Sequence, residues 1–466
     1  MIKCSYQTKG GNIMKKTTKK LLSILLSALM LLPFSAVAFA ADGDYTINSP
    51  YADVIWEGEN AWGAYKGNLH SHTTYSDADV DLATMVKEYY NQGYDFLANA
   101  DHGITGKEWN RHQTFLPLYA YQTLLGNKVQ HLTDEEFEGI TSGTYPTADG
   151  KARGSKMTCV TGANELNNLT LTKSHVNGYF LPEGVGDGFG GRENGFELAV
   201  AFVDKAGGLS HINHPGDFLE SSRNIDAVSD KENVALFGDI LLKYDSCLGI
   251  EVFNENNSVT PYDRILWDNL LMYCLPYGKN VIGFSNTDAH RTEDIDTSFS
   301  VFMMEENTSE KVKETMQSGA FFAVTRRLKT NDVIGPAKEI DARNTDIPYP
   351  IFTKVEVEGH EISVKAENAD TIQWIADGKV IASGSISDGY DCLDLDTVDG
   401  AEDFTYVRAE LFGKGGICLT QALVIEDGSA TPTYEGAKGF DAIIKNIVYF
   451  FKSSLLWTII VEITRL

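Results

Sequence analysis

Short hydrophobic runs alternate with longer amphipathic stretches along most of the chain. The short runs are typical of buried strands, and the longer stretches have the 3–4 residue spacing of amphipathic helices. We predict strands that end at His72, Asp101, Glu165, Leu181, His214, Asn254, Asp288 and Met304. We predict helices over Leu82–Gln92, Phe196–Lys205, Tyr262–Cys274 and Ser309–Ser318. This alternation predicts an α/β domain over residues 41–336, with a parallel sheet and crossover helices.

After residue 336 the pattern changes to short strands in which polar and apolar positions alternate. The predicted strands are Lys354–Val357, Glu361–Ala366, Thr371–Ala376, Val380–Ser383, Thr405–Leu411 and Cys418–Ile425. Turn-forming pairs such as Asp377-Gly378 separate them, which is typical of a small all-β, Ig-like sandwich. We therefore predict a β-sandwich over residues 337–430, with Trp374 in its core. A disulfide between Cys392 and Cys418 is one option for this domain.

The first 40 residues have the pattern of a secretory signal peptide. Lysines precede the apolar run from Leu21 to Phe34, and Ala38-Phe39-Ala40 supplies the small residues of a cleavage site. We predict an export signal over 1–40 and a secreted or cell-surface protein, with a retained anchor as the alternative. Removal of this segment takes away six lysines and no acidic residue, which changes the net charge from -26 to -32. Such a charge repels nucleic acid, which we do not expect as a partner.

The C-terminal residues 436–466 are strongly apolar, with few charges. Lys445, Lys452 and Glu462 interrupt the run of about 20 apolar residues that a membrane-spanning helix needs. We predict a C-terminal apolar helix that contacts a membrane surface through one face. A tilted span and a helix docked on the sandwich are the alternatives.

Residue types that bind metals follow one predicted strand after another. His70 and His72 alternate by two, so an extended strand presents both imidazoles on one face. Parallel α/β folds place their chemistry at the carboxyl ends of strands. The further candidates near strand ends are Asp77, Asp101, His102, Glu165, His175, His211, His214, Asp288 and His290. One histidine pair would be weak evidence, but repetition after successive strands indicates a metal site.

The order of these motifs, over about residues 60–330, resembles the PHP family, named for polymerase and histidinol phosphatase domains. It looks closest to the secreted CehA/McbA-like branch. The resemblance implies a distorted (β/α)7 barrel with a di- or trinuclear metal centre. The implied ligands of one metal are His70, His72, Glu165 and Asp288. Glu165 would bridge to a second metal held by His175 and His214, and a third would be held by Asp77, His102 and His290. Asp77 replaces a histidine found in some members of the family.

Imidazole and carboxylate ligands suit Zn²⁺, Mn²⁺ or Fe²⁺ better than Mg²⁺ or Ca²⁺. Two or three such ions lower the pKa of a bridging water and generate hydroxide near neutral pH. In this interpretation Glu165 bridges the metals and Asp288 orients or deprotonates the water. Asp101 and His211 would orient the ligands. A basic group is expected near a phosphate, and the loop candidates are Arg153, Arg192, Arg223 and Arg291.

We therefore predict a secreted metal-dependent phosphoesterase that acts on a small-molecule ester or phosphoester. The first alternative is a metal-dependent hydrolase of carboxylic or carbamic esters, because the same hydroxide could attack them. The second is a non-catalytic surface protein with structural metals, although a structural site closes with fewer ligands than this chain offers. Two insertions, 104–155 and 183–195, either shape a substrate pocket or decorate the surface.

Overall fold

The computed structural model describes residues 45–113, 129–167, 173–188, 195–254, 260–329 and 339–436, together with helical positions 443–444, 447–448 and 451. The predicted export signal and nearly all of the apolar tail lie outside these residues. The α-helices with described bounds are α1 (Leu82–Asn91), α2 (Asp134–Ser142), α3 (Phe196–Ala206), α4 (Pro215–Leu219), α5 (Lys231–Lys243), α6 (Asp263–Cys274) and α7 (Ser309–Ser318). Among the described residues, no helix is long and apolar enough to cross a membrane.

The strands divide at the gap after residue 329. Those before it are β1 (Thr46–Asn48), β2 (Gly63–Asn68), β3 (Phe96–Leu97), β4 (Thr158–Cys159), β5 (Asn164–Leu166), β6 (Val176–Tyr179), β7 (Leu209–Ile212), β8 (Cys247–Phe253), β9 (Ile282–Ser285), β10 (Ser298–Met304), β11 (Phe321–Thr325) and β12 (Arg327–Lys329). Those after it are β13 (Glu339–Asp341), β14 (Ile351–Glu358), β15 (Glu361–Glu367), β16 (Thr371–Ala376), β17 (Lys379–Ser385), β18 (Tyr390–Asp394), β19 (Tyr406–Gly413), β20 (Gly416–Leu419) and β21 (Leu423–Glu426).

The four predicted helices are confirmed as α1, α3, α6 and α7, each within one residue at either end. Local sequence explains where they begin: the Asp81 carboxylate accepts a hydrogen bond from the Thr84 N–H at 3.0 Å and caps α1. Helices α2, α4 and α5 were not predicted. Helix α5 has a comparable cap, because the Asp230 carboxylate accepts from the N–H groups of Glu232 and Asn233. That cap was a sequence signal that the prediction missed.

The sheet topology corrects the expectation of a parallel sheet. Strands β2, β3 and β4 are parallel, as are β7, β8 and β9, but β6 is antiparallel to both β5 and β7. The connection from β5 to β6, residues 167–175, is shorter than the dozen or so residues that a parallel crossover needs. Because β6 is reversed, its first residue lies at the edge where β5 and β7 end. His175, just before β6, is thereby brought to that edge.

Apart from β12, which pairs only with β13, the strands before the gap belong to two sheets, one of the order β5-β6-β7-β8-β9 and one that contains β1, β2, β3, β4, β10 and β11. Two single parallel bridges join these sheets, from Ser71 to Ala289 and from His102 to Glu165. Along the free edge of β9, side chains take the place of a neighbouring strand. Gly283 donates to and accepts from the Gln421 amide, both at 2.8 Å, and Ser300 Oγ bonds the backbone of Ser285. In the described part of the chain, no ladder closes the two sheets into one barrel.

The C-terminal strands form two layers. Strands β14, β15 and β18 make one sheet, and β16, β17 and β19 make the other, with buried residues of both in one hydrophobic cluster. Trp374 is 1% exposed, as expected for a core position. The second layer continues into the first part of the chain, because β20 pairs with both β19 and β11. The predicted boundary at residue 336 stays a prediction.

The predicted disulfide option is wrong. All five described cysteines are free, and Cys392 lies in β18 whereas Cys418 lies in β20, which belongs to a different sheet. Cys418 instead contributes to the hydrophobic core of the molecule.

Candidate metal centre

Hydrogen bonds of the backbone and of the Asn68 side chain join the turn after β2 to the turn after β9. The Asn68 amide donates to the His70 carbonyl at 2.8 Å and accepts from the Thr287 N–H at 2.8 Å. The Asp288 N–H also donates to the His70 carbonyl, at 2.9 Å. Asp288 has a φ of +48°, a left-handed conformation that a non-glycine residue keeps only when its surroundings impose it. The local fold therefore places Asp288 directly beside the first two histidines.

Glu165 occupies the centre of a buried cluster of imidazoles. It lies on β5 and is 1% exposed. Its Oε2 atom lies 3.3 Å from His70 Nε2, 3.0 Å from His72 Nε2 and 3.3 Å from His102 Nδ1. Its Oε1 atom lies 3.1 Å from His175 Nδ1 and 3.4 Å from His214 Nε2. One carboxylate therefore contacts five imidazoles, three through one oxygen and two through the other.

Two further carboxylates complete the cluster. Asp288 Oδ1 lies 3.2 Å from His70 Nε2 and 3.1 Å from His72 Nε2. Asp77 lies at the outer side, with oxygens 3.4–3.5 Å from nitrogens of His72, His102 and His290. Because the Asp77 side chain is 50% exposed, this side of the cluster opens to solvent. All nine predicted metal ligands are thus brought together, and their role as ligands stays a prediction.

The grouping of these residues differs in part from the predicted one. The group His70, His72, Glu165 and Asp288 has ligand atoms within 4.8 Å of one another, as the resemblance implied. The other two groups are His102, Glu165 and His175, and His72, Asp77 and His102. His102 therefore lies between two groups, whereas the prediction gave it to the third alone. Glu165 belongs to two groups, as a bridging carboxylate should.

The spacing of the donor atoms fits divalent cations. Ligand atoms about 2.1 Å from a Zn²⁺ or Mn²⁺ ion lie about 3.0–3.4 Å apart in octahedral or tetrahedral geometry. The Nε2 atoms of His70 and His72 are 3.1 Å apart, and both lie in that range from Asp288 Oδ1. Asp288 Oδ1 is buried, and beyond its ion pairs with imidazoles it accepts no hydrogen bond from the described residues. Buried polar atoms normally have partners, so a cation among these atoms would explain the arrangement.

The electrostatics of the cluster favour positive charge. Burial lowers the pKa of His70, but the negative charges of Asp288 and Glu165 outweigh it and hold that pKa well above its usual range. Burial raises the pKa of Glu165, but His102 and His70 hold it well below its usual range. The carboxylates therefore stabilise cations at this place, whether these are imidazolium groups or metal ions.

Asp101 and His211 lie next to the cluster and form hydrogen bonds with residues beside the predicted metal ligands. The Asp101 carboxylate accepts from Thr73 N–H at 2.7 Å, Thr73 Oγ1 at 2.8 Å and Ser76 Oγ at 2.6 Å, which fixes the turn that leads to Asp77. His211 Nε2 lies 2.7 Å from Tyr179 Oη. Burial lowers the pKa of His211 to about 4, with the charge of Glu251 opposing, so its imidazole is neutral. Both positions suit the orienting role predicted for them.

Glu251 is a functional candidate that the sequence analysis missed. Its Oε1 atom lies 2.8 Å from His70 Nδ1 and accepts from Asn286 Nδ2 at 2.9 Å. Its Oε2 atom accepts from the His214 N–H at 3.0 Å and from Asn254 Nδ2 at 2.9 Å. With Nδ1 occupied by Glu251, the other nitrogen of His70 faces Glu165 and Asp288. The available signal was a charged residue within the otherwise apolar strand β8, because buried charges need partners.

Replacement of Glu251 with glutamine should lower affinity for divalent metal by about 10–100-fold. If the glutamine amide nitrogen takes the place of Oε2, it faces two other donors, the Asn254 amide nitrogen and the His214 N–H, so His70 and His214 would lose their fixed positions. Equilibrium dialysis with Zn²⁺ measures the effect. Glu402→Gln, at an exposed position, is the matched control, and equal affinities in the two variants would contradict the role of Glu251.

The four arginines predicted as phosphate ligands differ in their position relative to the metal centre. Arg153 bonds the Tyr94 and Gly93 carbonyls and Asp95, at the end of β3 opposite to His102, so it is not a phosphate ligand of this site. Arg192 lies outside the described residues. Arg223 and Arg291 are exposed and pair with neighbouring carboxylates. Lys173, two residues before His175, was not predicted and donates to Asp217 at 2.7 Å.

The two insertions contact each other beside His102. The Thr105 N–H donates to Asp187 Oδ1 at 2.7 Å, and Thr105 Oγ1 donates to the Val185 carbonyl at 2.7 Å. The Gly188 N–H donates to the Gly103 carbonyl at 2.8 Å. The described parts of both insertions therefore pack together next to the cluster, which fits the pocket-shaping alternative better than independent surface decoration.

Comparison with known proteins gives only distant similarities. No family model matches the chain, and no curated protein matches its sequence. One similar solved structure is a two-domain protein from Bacteroides vulgatus ATCC 8482 containing a predicted PHP-like metal-dependent phosphoesterase. It is 13% identical, covers 83% of this chain and 100% of its own, and has a TM-score of 0.38. Another is a lesion-specific endonuclease from Pyrococcus furiosus, 14% identical, with coverages of 55% and 56% and a TM-score of 0.31. Similarity at this level establishes neither a shared fold nor a shared activity, and the chemistry follows from the side chains around Glu165.

Proposed function

We propose that this chain is a metal-dependent phosphoesterase of the PHP type, with a distorted (β/α)7 arrangement around two or three divalent transition-metal ions (Zn, Mn or Fe). The observation that carries the proposal is the central position of Glu165, whose two oxygens contact five imidazoles and join two ligand groups. A structural metal site closes with four ligands, whereas this cluster offers more. Divalent ions held there would acidify water and supply a nucleophile near neutral pH.

The protein side chains would divide the remaining tasks. Both oxygens of Glu165 are occupied by imidazoles, so it holds ligands and does not act as a free base. Asp288 Oδ1 accepts no hydrogen bond from the described residues beyond its ion pairs with imidazoles, and its side chain is 13% exposed, which suits it to orient a water and accept its proton. The exposed side at Asp77 and His290 is the expected route for substrate.

One observation favours the alternative of a carboxylic or carbamic ester hydrolase. Lys173, Arg223 and Arg291, three of the described basic residues near the ligands in sequence, each pair with a carboxylate. A phosphomonoester dianion would need at least one of these pairs to open, whereas a neutral ester would not. A phosphodiester carries one negative charge, so its need for a free basic residue is intermediate between those of the dianion and the neutral ester.

Metal content and a substrate screen test the proposal together. We expect at least two transition-metal ions per chain in protein purified without chelator, measured by elemental analysis. The metal-loaded protein should hydrolyse at least one of a phosphomonoester, a phosphodiester and an aryl ester, and chelation should abolish this. Metal content below one ion per chain that does not respond to added Zn²⁺ or Mn²⁺ would rule the proposal out. Metal without hydrolysis would favour the non-catalytic surface protein.

We also propose that the protein is exported and that residues 436–466 bring it to a membrane surface. The proposal rests on the signal-like first 40 residues and on the apolar tail, which carries Lys438, Lys445 and Lys452. We expect full-length protein to partition partly with lipid vesicles, and a chain ending at Glu435 to stay in solution with undiminished hydrolysis. Equal partitioning of both chains would mean that the tail packs on the protein instead.

A further inference from the structure

A cavity of about 950 Å³ lies on the outer face of β2 and β10, away from the Glu165 cluster. Its floor has Ala64 and Lys66 of β2 and their paired neighbours Met303 and Val301 of β10. Residues 344–349 and 351–353, which lead into and begin β14, form one wall. No residue that lines the cavity belongs to the metal centre, so anything bound here would occupy a separate site.

Aromatic side chains border this cleft. Trp56, Trp62 and Tyr349 line it and are only partly buried, so part of each ring faces the open space. Trp56 is held from behind by Tyr51 and Phe322, with ring centroids 6.3 and 6.5 Å away. Tyr349 packs edge-on against Phe299 at 4.8 Å. These contacts fix rigid apolar surfaces against which a flat ligand can stack.

Lys66, in the floor of the cleft, has an ammonium group whose hydrogen bonds are long. Its ammonium lies 4.2 Å from the ring centroids of both Tyr94 and Phe299. Its hydrogen bonds to the Gln92 carbonyl and to Asp296 are both 3.5 Å, longer than ordinary N–H···O bonds. Burial lowers the pKa of Lys66 to about 8, because desolvation outweighs the attraction of Asp296. The Lys66 ammonium can therefore donate a further hydrogen bond to a ligand oxygen.

Two of the three carboxylates that line the cleft, Asp95 and Asp296, are already paired, and the third, Asp346, is exposed at its border. Asp95 accepts from Arg153 at 2.6 Å, and Asp296 accepts from Arg326 at 2.7 Å. Asp296 also accepts from the Asn344 N–H at 2.9 Å. An anionic ligand would thus meet three carboxylates against the two cations Lys66 and Arg326, and a cationic ligand would meet Lys66 in the floor. The balance favours an uncharged ligand that has both an apolar face and many oxygens.

We propose that this cleft binds a neutral saccharide, with a pyranose ring stacked on the indole of Trp62 or Trp56 and a sugar oxygen accepting from Lys66. A pyranose has a face of C–H groups that suits an aromatic ring and a rim of hydroxyls that needs donors and acceptors. Gln92 and Thr353, at the border of the cleft, offer such groups. This site is independent of the proposed hydrolytic activity, because it shares no residue with the metal centre.

Isothermal titration of the full chain with maltohexaose, cellohexaose, xylohexaose and chitohexaose tests the proposal. We expect saturable binding of at least one of these at one site per chain. Trp62→Ala should weaken that binding by about ten-fold, or about 1.4 kcal/mol. Because Trp62 also packs on the core, Lys66→Met is a second variant that removes the donor and keeps the apolar stem. Tyr390→Ala, which removes an aromatic residue that is 50% exposed on the sandwich, is the matched control.

The outcomes are distinct. Loss of binding in Trp62→Ala or Lys66→Met, with an unchanged circular dichroism spectrum and unchanged metal content, supports the cleft. Absence of saturable binding by all four saccharides overturns it. Wild-type affinity in both folded variants also overturns it, as does a saccharide that competes with substrate at the metal centre and is insensitive to both substitutions.

Discussion

Replacing Glu165 with glutamine should reduce hydrolysis by about 100-fold or more. The carboxylate is the anion that two ligand groups share, and it offsets the mutual repulsion of cations bound on either side. Glutamine has nearly the same shape but only one acceptor oxygen, so its amide nitrogen would face either His72 at 3.0 Å or His175 at 3.1 Å. The Asn213 amide, which donates to Oε1 at 2.7 Å, would also lose an anionic partner.

The measurement pairs turnover with bound metal. We expect the Glu165→Gln protein to bind at least one metal ion per chain fewer than the wild type. Its circular dichroism spectrum should stay native, because the hydrophobic packing around the cluster is unchanged. Glu402→Gln, a chemically identical change at an exposed position, should leave both quantities at wild-type values. Near-normal turnover in folded Glu165→Gln protein would show that the carboxylate does not bridge metals.

Replacing Arg408 with methionine should destabilise the whole molecule by about 3–5 kcal/mol. Arg408, on β19, is 1% exposed and donates to Asp268 of α6 at 2.7 and 2.8 Å and to Glu410 at 2.6 Å. Glu410 in turn accepts from Arg264 of α6 at 2.9 Å. Methionine would leave Asp268 buried without its cation, and an uncompensated buried charge is far costlier than the loss of an exposed pair.

Urea-induced unfolding measures this effect. Arg111→Met is the matched control, because Arg111 is 66% exposed and pairs with Glu108 three residues earlier in the chain, so we expect a change under about 1 kcal/mol. Arg408→Met should also unfold in a single transition, since α6 and β19 belong to the two parts of the chain that this pair joins. A stable first part that remains folded after the sandwich unfolds would show that the two parts are independent.

The sequence predicted the site better than it predicted the sheet. Strand ends, metal-ligand residue types and their order were visible in the sequence, and the structure gathers those residues around Glu165. The reversal of β6 was not visible, because the pattern of a buried strand is the same in either direction. The shortness of the connection before His175 was the only hint. Glu251 was missed because its role depends on contacts with His70 and His214, which are 181 and 37 residues away in sequence.

The extent of the shared core could not be predicted either. Strand β20 pairs with β11 at sequence separations of 92–96 residues, and the sequence of neither strand indicates its partner. The change to a sandwich pattern after residue 336 suggested a separate module, yet hydrophobic residues of both parts belong to common clusters. Periodicity reports which face of a strand is buried, but it does not report what covers that face.

The way Gln421 meets β9 has a consequence for how the protein behaves at high concentration. An outermost strand with unpaired N–H and C=O groups is a template on which another chain can add a strand and begin to aggregate. Here the Gln421 amide occupies both backbone groups of Gly283, and Ser300 does the same at Ser285. Single side chains therefore occupy the backbone groups of the strand that leads to Asp288, and because that strand is also buried, Gly283 and Ser285 offer no exposed N–H or C=O group to another chain.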